Sequence, residues 1–237
     1  MSEAQSSIIG SQQRSPNSPA PAEAIPQALF LFALIYGGMS CIAGVLGSKQ
    51  VALGPLAVEA GIFPFLVLVS ISSAVSQLFG KGIANRLVRF GFVPLTCAIG
   101  LTWIVLQLPA DEDMYPPAKE AFPIILSQSW RLMIAGIIAY GVSMSLNVMI
   151  FSRLARVTGR FVAVRGAIAS MLSQVVDTLI FISIAFYGVR PIADLLLGQA
   201  LAKVILSIIL VPPLIKLLLA VARHLSKRDR VERHLLA

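Results

Sequence analysis

Charged residues are scarce in this sequence: they make up 13% of its 237 residues, against about 25% in an ordinary soluble domain. Histidine and cysteine are nearly absent. The two histidines, His224 and His234, stand near the end of the chain, and the two cysteines, Cys41 and Cys97, lie within apolar runs. The sequence has no HExxH motif, no paired intramembrane aspartates and no nucleotide-binding P-loop. These absences argue against an enzyme, and we expect no metal ion and no cofactor.

Long apolar runs take the place of the missing charges. The chain is 57% hydrophobic, its mean hydropathy is +0.85, and several runs reach the roughly 20 residues that a membrane-spanning helix needs. We therefore predict an all-α polytopic membrane protein with six transmembrane helices in one bundle. The predicted spans are residues 27–47, 62–79, 90–108, 130–151, 165–188 and 192–211.

The segments outside the spans divide the chain further. Residues 1–26 are rich in Ser, Gln, Pro and Ala and predict a disordered tail. Residues 27–222 form the predicted transmembrane domain, and 223–237 a short basic tail. The acidic connector 109–128 is expected to lie in water, and Pro212 with Pro213 is expected to interrupt the sixth helix.

Lys and Arg predict the orientation, because cytoplasmic loops carry an excess of both. One side of the predicted membrane domain carries a group of 14 of the 19 Lys and Arg residues, and this group includes residues near both termini. Its members are Arg14, Lys81, Arg86, Arg89, Arg153, Arg156, Arg160, Arg165, Lys216, Arg223, Lys227, Arg228, Arg230 and Arg233. Both termini are therefore predicted to be cytoplasmic. The net charge of +8 follows from this topology and suits anionic lipid headgroups, so nucleic acid is not an expected partner.

The fifth span carries the strongest candidate for function. Asp177 stands near its middle, and a charge there costs about 2.5–3.5 kcal/mol on insertion scales, so an intramembrane acid is a functional candidate by default. Ser170 and Ser173 share its helical face, with Gln174 at the edge of that face. For the two serines a packing seam between helices is the simpler interpretation. Asp177 is different, because a seam does not need an acid.

A second stretch resembles part of the fifth span. Residues 71–78 read ISSAVSQL and residues 168–175 read IASMLSQV, both toward the cytoplasmic end of their spans. Whether this marks an internal repeat or chance similarity stays open. The shared depth predicts one polar layer, which contains Ser73, Gln77, Ser170 and Gln174.

Three further residues complete the predicted binding site. Tyr140 and Asn147 fall on one face of the fourth span, where an amide could bond to the edge of a planar ligand. The tyrosine ring could stack on such a ligand, although packing is the simpler interpretation of any single aromatic residue. Lys203 starts near mid-membrane in the sixth span. A buried ammonium is costly unless paired, and Asp177 is the acid at comparable depth, so the two are predicted to interact.

With the spans placed, the sequence resembles the queuosine precursor transporter family, also called the vitamin uptake transporters. The resemblance covers nearly all of 27–222. It rests on FPF at 63–65, on SSAVSQLFGKGIANRLVRFGF at 72–92, and on single residues of the fifth and sixth spans. Those residues are Arg165, Ser170, Ser173, Gln174, Asp177, Thr178, Phe181, Ala185, Phe186, Gly188, Lys203 and Pro212.

The resemblance implies six helices and uptake of 7-deazaguanine bases, the cyano or aminomethyl precursors of queuosine. The sequence departs from the family at three acids and one glutamine. Ser73 and Gln77 replace the usual Asp and Glu, Asn147 replaces a further acid, and Met144 replaces the glutamine. A cationic substrate would be expected to need those acids, so a neutral or different substrate is favoured by these replacements.

The sequence leaves two functional classes open. The first is a transporter in a bacterial inner membrane that imports a small heterocyclic nutrient, most simply a queuosine precursor or a related purine-like compound. The second is a substrate-binding membrane subunit of a vitamin uptake system that a separate ATPase energises. The expected partners are a small molecule and the lipid bilayer, and a homo-oligomer or an energising protein both stay open.

Overall fold

The computed structural model describes residues 25–54, 56–127, 130–158, 161–188 and 193–235 of the chain. It is an all-α bundle with one small β-hairpin. The elements in order are α1 (Gln27–Gly47), β1 (Gln50–Leu53), β2 (Leu56–Glu59), α2 (Ile62–Gln107), α3 (Pro116–Leu126), α4 (Trp130–Thr158), α5 (Val162–Phe186) and α6 (Ala193–Leu235).

Five of these helices are long and apolar enough to span a membrane. The candidate spans are Gln27–Gly47, Ile62–Gln107, Arg131–Arg156, Val162–Phe186 and Leu196–Lys227. Their length and hydropathy confirm the prediction of a polytopic membrane protein.

The longest of them, α2, contains the second and third predicted spans. Its 46 residues would extend about 69 Å at 1.5 Å per residue, roughly twice the hydrocarbon core of a bilayer. Gly80 divides α2 into two arms, residues 62–79 and 81–107, because its φ of 86° and ψ of 163° are not helical. A side chain would strain this backbone conformation, whereas glycine adopts it freely.

Contacts with α4 show that the second arm of α2 runs back beside the first. On the first arm, Ser76 bonds to Ser152 of α4 at 3.1 Å. On the second arm, Phe92 packs edge-to-face on Tyr140, nearer the start of α4, with ring centroids 4.9 Å apart. The chain therefore reverses direction at Gly80.

The bundle thus has two ends. The hairpin end holds the β-hairpin, the end of α1 and the start of α4. It also holds the end of α5, because Arg131 of α4 donates hydrogen bonds to the carbonyls of Ile184 (2.5 Å) and Tyr187 (2.6 Å). The turn end holds Gly80, the end of α4 and the start of α5, where Arg165 donates to Gln77.

The β-hairpin was not predicted. Its strands pair antiparallel, with Gln50 opposite Glu59 and Leu53 opposite Leu56. Gly54 takes a positive φ of 61° at the turn, which glycine allows without strain. The Gly-Pro pair at 54–55, between the short apolar runs 51–53 and 56–58, is a turn signal that could have revealed it.

The predicted connector 109–128 contains a helix that the sequence analysis also missed. α3 begins at Pro116 and Pro117, and proline is favoured in the first helical turn, where its missing N–H has no partner in any case. Residues 109–115 before α3 have no regular structure, and most of them are exposed.

The prediction that Pro212 and Pro213 interrupt the sixth helix is wrong. α6 continues through both prolines to Leu235 and so includes most of the predicted tail 223–237. Val211 and Ile215, on either side of the pair, are fully buried, and packing of this kind lets membrane helices tolerate proline. Residues 1–24 of the predicted disordered tail lie outside the described residues.

Candidate functional site

Asp177 and Lys203 form an ion pair in the interior of the bundle. The Lys203 Nζ lies 3.4 Å from Asp177 Oδ2, and both residues are buried. The second carboxylate oxygen, Oδ1, accepts a hydrogen bond of 3.1 Å from the Ser143 hydroxyl of α4. Three helices therefore meet at one carboxylate, and the predicted interaction between Asp177 and Lys203 is present.

The pair lies deep in the apolar layer. Asp177 is about 14 Å from the end of α5 at Phe186, and Lys203 about 15 Å from the start of α6 at Ala193, at 1.5 Å per residue. Both helix ends belong to the hairpin end of the bundle. Since the hydrocarbon core is about 30 Å thick, these depths correspond to the middle of a membrane.

A cavity of about 790 Å³ reaches the pair from the hairpin end. α1, both arms of α2, and α3 to α6 all contribute to its walls, together with Glu59 of the hairpin. The walls are largely apolar, and a few polar groups converge on one region, as is typical of small-molecule sites. The polar lining residues are Ser40, Ser48, Glu59, Thr102, Gln107, Ser127, Tyr140, Gln174, Asp177 and Lys203.

Tyr140 and Gln174 form the floor of the cavity, because the described lining residues of α4 end at Tyr140 and those of α5 begin at Gln174. The Tyr140 hydroxyl donates to the Tyr36 hydroxyl of α1 at 2.8 Å. α2 approaches this tyrosine pair at Gly91, where a Cβ would lie 2.5 Å from Tyr36 Cε1 and 2.7 Å from the Tyr140 oxygen. The floor is therefore closely packed.

Gln174 is the polar side chain with the most unused hydrogen-bonding capacity on this floor. It is fully buried, yet neither its Oε1 nor its Nε2 has a hydrogen-bond partner among the described residues. It stands three positions before Asp177 on α5, so the two side chains share a helical face. Because unpaired buried polar groups cost about 1–3 kcal/mol each, an amide left in this state is suited to a ligand.

The other four predicted site residues lie on the turn side of the floor, and none lines the cavity. Asn147 Nδ2 donates to the Val69 carbonyl at 3.3 Å and contacts Ser72 Oγ at 2.9 Å and Ser73 Oγ at 3.4 Å. These bonds join α4 to the first arm of α2. The predicted layer is thus divided, with Gln174 in the cavity and Ser73 in the packed part.

The remaining two make similar contacts between helices. Ser170 bonds to Ser207 of α6 at 3.2 Å. The Gln77 amide oxygen accepts a hydrogen bond from Arg165, whose guanidinium carbon also lies 4.5 Å from the centroid of the Phe151 ring. Substrate contact by Ser73, Gln77, Asn147 and Ser170 remains a prediction.

Sequence reasoning did not select Glu59, Gln199 or Ser143 as site residues. Glu59 lines the cavity and accepts a hydrogen bond of 3.3 Å from Gln199 Nε2. The sequence signal for Glu59 was weak, because it ends a strand that was not predicted. It is far from Gln199 in the sequence, and only the fold brings the two side chains together. Ser143 stands three positions after Tyr140, so the polar face of the fourth span already contained it.

Residues 59–217, more than half of the chain, match the sequence model of the family described as "Putative vitamin uptake transporter". A protein of Bacillus subtilis (strain 168) named "Probable queuosine precursor transporter" is 26% identical over 171 residues, which are 69% of this chain and 73% of that protein. No solved structure matches the chain.

Proposed function

The chain belongs to the vitamin uptake transporter family, and from this premise we propose that it imports a small heterocyclic base across a bacterial inner membrane. The observation that carries the proposal is the floor of the cavity, where the buried Gln174 amide has no hydrogen-bond partner among the described residues and shares a helical face with Asp177. The volume of about 790 Å³ falls within the range of about 300–1,000 Å³ that is usual for ligand pockets.

The ligand chemistry follows from the hydrogen-bonding groups. The Gln174 amide offers one acceptor and two donors, and the Asp177 carboxylate offers acceptors. A guanine-like edge presents a carbonyl oxygen, a ring N–H and an exocyclic amine, so its acceptor can bond to the Gln174 amide and its donors to Asp177. The name of the relative from B. subtilis agrees with this class, and we assign a 7-deazaguanine base or a related purine-like compound as the substrate.

The direction of access depends on topology, for which we propose six crossings and two cytoplasmic termini. The reversal at Gly80 supports counting the two arms of α2 as separate spans. The turn end and both chain termini carry 14 of the 19 cations, which favours the cytoplasmic side for that end. The cavity then opens to the outer side of the membrane, which is the side from which an importer takes up its substrate.

Fusion reporters test this topology. A reporter after Ala237 should be active only in the cytoplasm, and one inserted beside Glu112 only on the outer side. A cytoplasmic position for Glu112 would contradict six crossings, because the two arms of α2 would then not both cross.

Uptake by the purified chain in liposomes tests the function itself. We expect a radiolabelled 7-deazaguanine base to accumulate in liposomes that contain wild-type protein, and Gln174→Leu to abolish most of that uptake. Gln107→Leu, which removes an amide from the lining nearer the hairpin end, is the matched control and should transport normally. Binding without uptake would instead support the substrate-binding subunit of an ATP-driven system, and absence of both would refute the substrate class.

A further inference from the structure

Glu59 holds a fixed position in the wall of the cavity at the hairpin end. It is the last residue of β2, where it pairs with Gln50 of β1, and the next residue donates its N–H to the Lys49 carbonyl at 2.8 Å. Val58 before it is fully buried and anchors the strand. The half-buried side chain of Glu59 lines the cavity.

Gln199 of α6 directs its amide donor at this carboxylate. Its Nε2 lies 3.3 Å from Glu59 Oε1. Gln199 is 2% exposed, and its own Oε1 has no partner among the described residues. Only Glu59 of the two lines the cavity among the described residues, and the buried Gln199 Oε1 belongs to the amide that contacts its carboxylate. Both kinds of oxygen accept hydrogen bonds from donors.

The charges that line the cavity do not balance. Among the described residues that line it, Glu59, Asp177 and Lys203 are charged. Asp177 and Lys203 neutralise each other as an ion pair, and theirs is the one salt bridge among the described residues. One negative charge, that of Glu59, is left over, and a cleft lined by charge of one sign concentrates ions of the opposite sign.

α6 fixes the spacing of the two carboxylates. Gln199, which holds Glu59, and Lys203, which holds Asp177, are four positions apart and so lie on the same face of the helix. Four residues rise about 6 Å along the axis. A bicyclic base that binds at Asp177 could therefore place a short side arm beside Glu59.

We propose that Glu59 and Gln199 form a cation subsite that selects substrates with a protonated amine. This inference rests on the proposed function for the position of the base, but the charge of the subsite can be tested without any substrate. The subsite also gives the cavity an acid that is not part of the ion pair between Asp177 and Lys203.

The first test measures the electrostatic potential at the subsite. Ser48 is exposed and lines the same part of the cavity, so Ser48→Cys in a Cys41→Ala, Cys97→Ala chain provides a reporter thiol. Its rates of reaction with a cationic and an anionic methanethiosulfonate are compared as a ratio. Glu59→Gln should lower the cation-to-anion ratio by about tenfold, as expected for removing one charge at close range in a partly aqueous site.

Two variants control this result. Glu59→Asp keeps the charge and should keep the ratio, and Glu120→Gln removes an exposed carboxylate that does not line the cavity, so the ratio should change less than twofold. An unchanged ratio in Glu59→Gln, or an equal change in Glu120→Gln, would overturn the proposal.

The second test measures binding of two bases that differ in charge, the aminomethyl and the cyano form of 7-deazaguanine. Glu59→Gln should weaken binding of the charged form about tenfold and leave the neutral form within twofold. Equal losses for both forms would assign Glu59 a structural role and refute the subsite. If wild-type protein binds neither base, the proposed function fails, whereas the thiol ratio still decides the charge of the subsite.

Discussion

The two halves of the bundle contain the same kinds of polar residue but use them differently. In the half toward the turn end, Asn147, Ser170 and Gln77 each bond to a neighbouring helix. In the half toward the hairpin end, Gln174 lines a cavity, and neither of its amide atoms has a partner among the residues that the structure describes. The comparison teaches that the partners of a polar residue inside a membrane protein decide whether it serves packing or binding, because residues of the same type occur in both halves.

The first prediction concerns the ion pair between the two halves and has the largest expected effect. Lys203→Met leaves the Asp177 carboxylate buried and unpaired, which typically costs about 3–5 kcal/mol. Adding Asp177→Asn removes that charge, so the double variant should recover part of the lost stability. Thermal unfolding in detergent measures the Lys203→Met variant, the double variant and Asp177→Asn alone. Strictly additive losses would mean that the two groups do not interact.

The second prediction tests the close packing of the floor. In Gly91→Ala the new Cβ would lie 2.5 Å from Tyr36 Cε1, and overpacking of this kind typically costs about 1–3 kcal/mol. We expect a lower melting temperature and a weakened contact between Tyr36 and Tyr140. Gly100→Ala, on the same arm of α2, is the control, because its Cβ would meet nothing within 4 Å. Equal effects of the two would show that the floor is loosely packed.

The third prediction compares one amide from each half. Asn147→Leu removes hydrogen bonds between α4 and α2, so it should lower stability by about 1–2 kcal/mol and leave ligand affinity within twofold. Gln174→Leu removes no hydrogen bond found within the described residues, so it should leave the melting temperature unchanged or higher and abolish most binding. The opposite pattern would place the binding site at Asn147, on the turn side of the floor.

Sequence reasoning could predict what depends on position along the chain. The spans follow from apolar length, and the pairing of Asp177 with Lys203 follows from two opposite charges at similar depth. It could not separate Gln174 from Gln77, because their neighbouring sequences are alike and the difference lies in Arg165, which reaches Gln77 from another helix. Glu59 was missed for a related reason, since only the fold brings β2 beside α6 and Gln199.

The central claim is that Asp177 serves substrate binding rather than assembly, and one purified variant tests it most directly. In Asp177→Asn the amide keeps an oxygen acceptor for Ser143, but it loses the charge that would attract the donors of the base. We predict that the variant still folds, with a melting temperature lowered because Lys203 loses its ion-pair partner, and that the folded protein binds a 7-deazaguanine base about 10- to 100-fold more weakly, which corresponds to the roughly 1.5–3 kcal/mol of a charged hydrogen bond. Both are measured on the same preparation. Unchanged affinity in a folded Asp177→Asn protein would contradict the account.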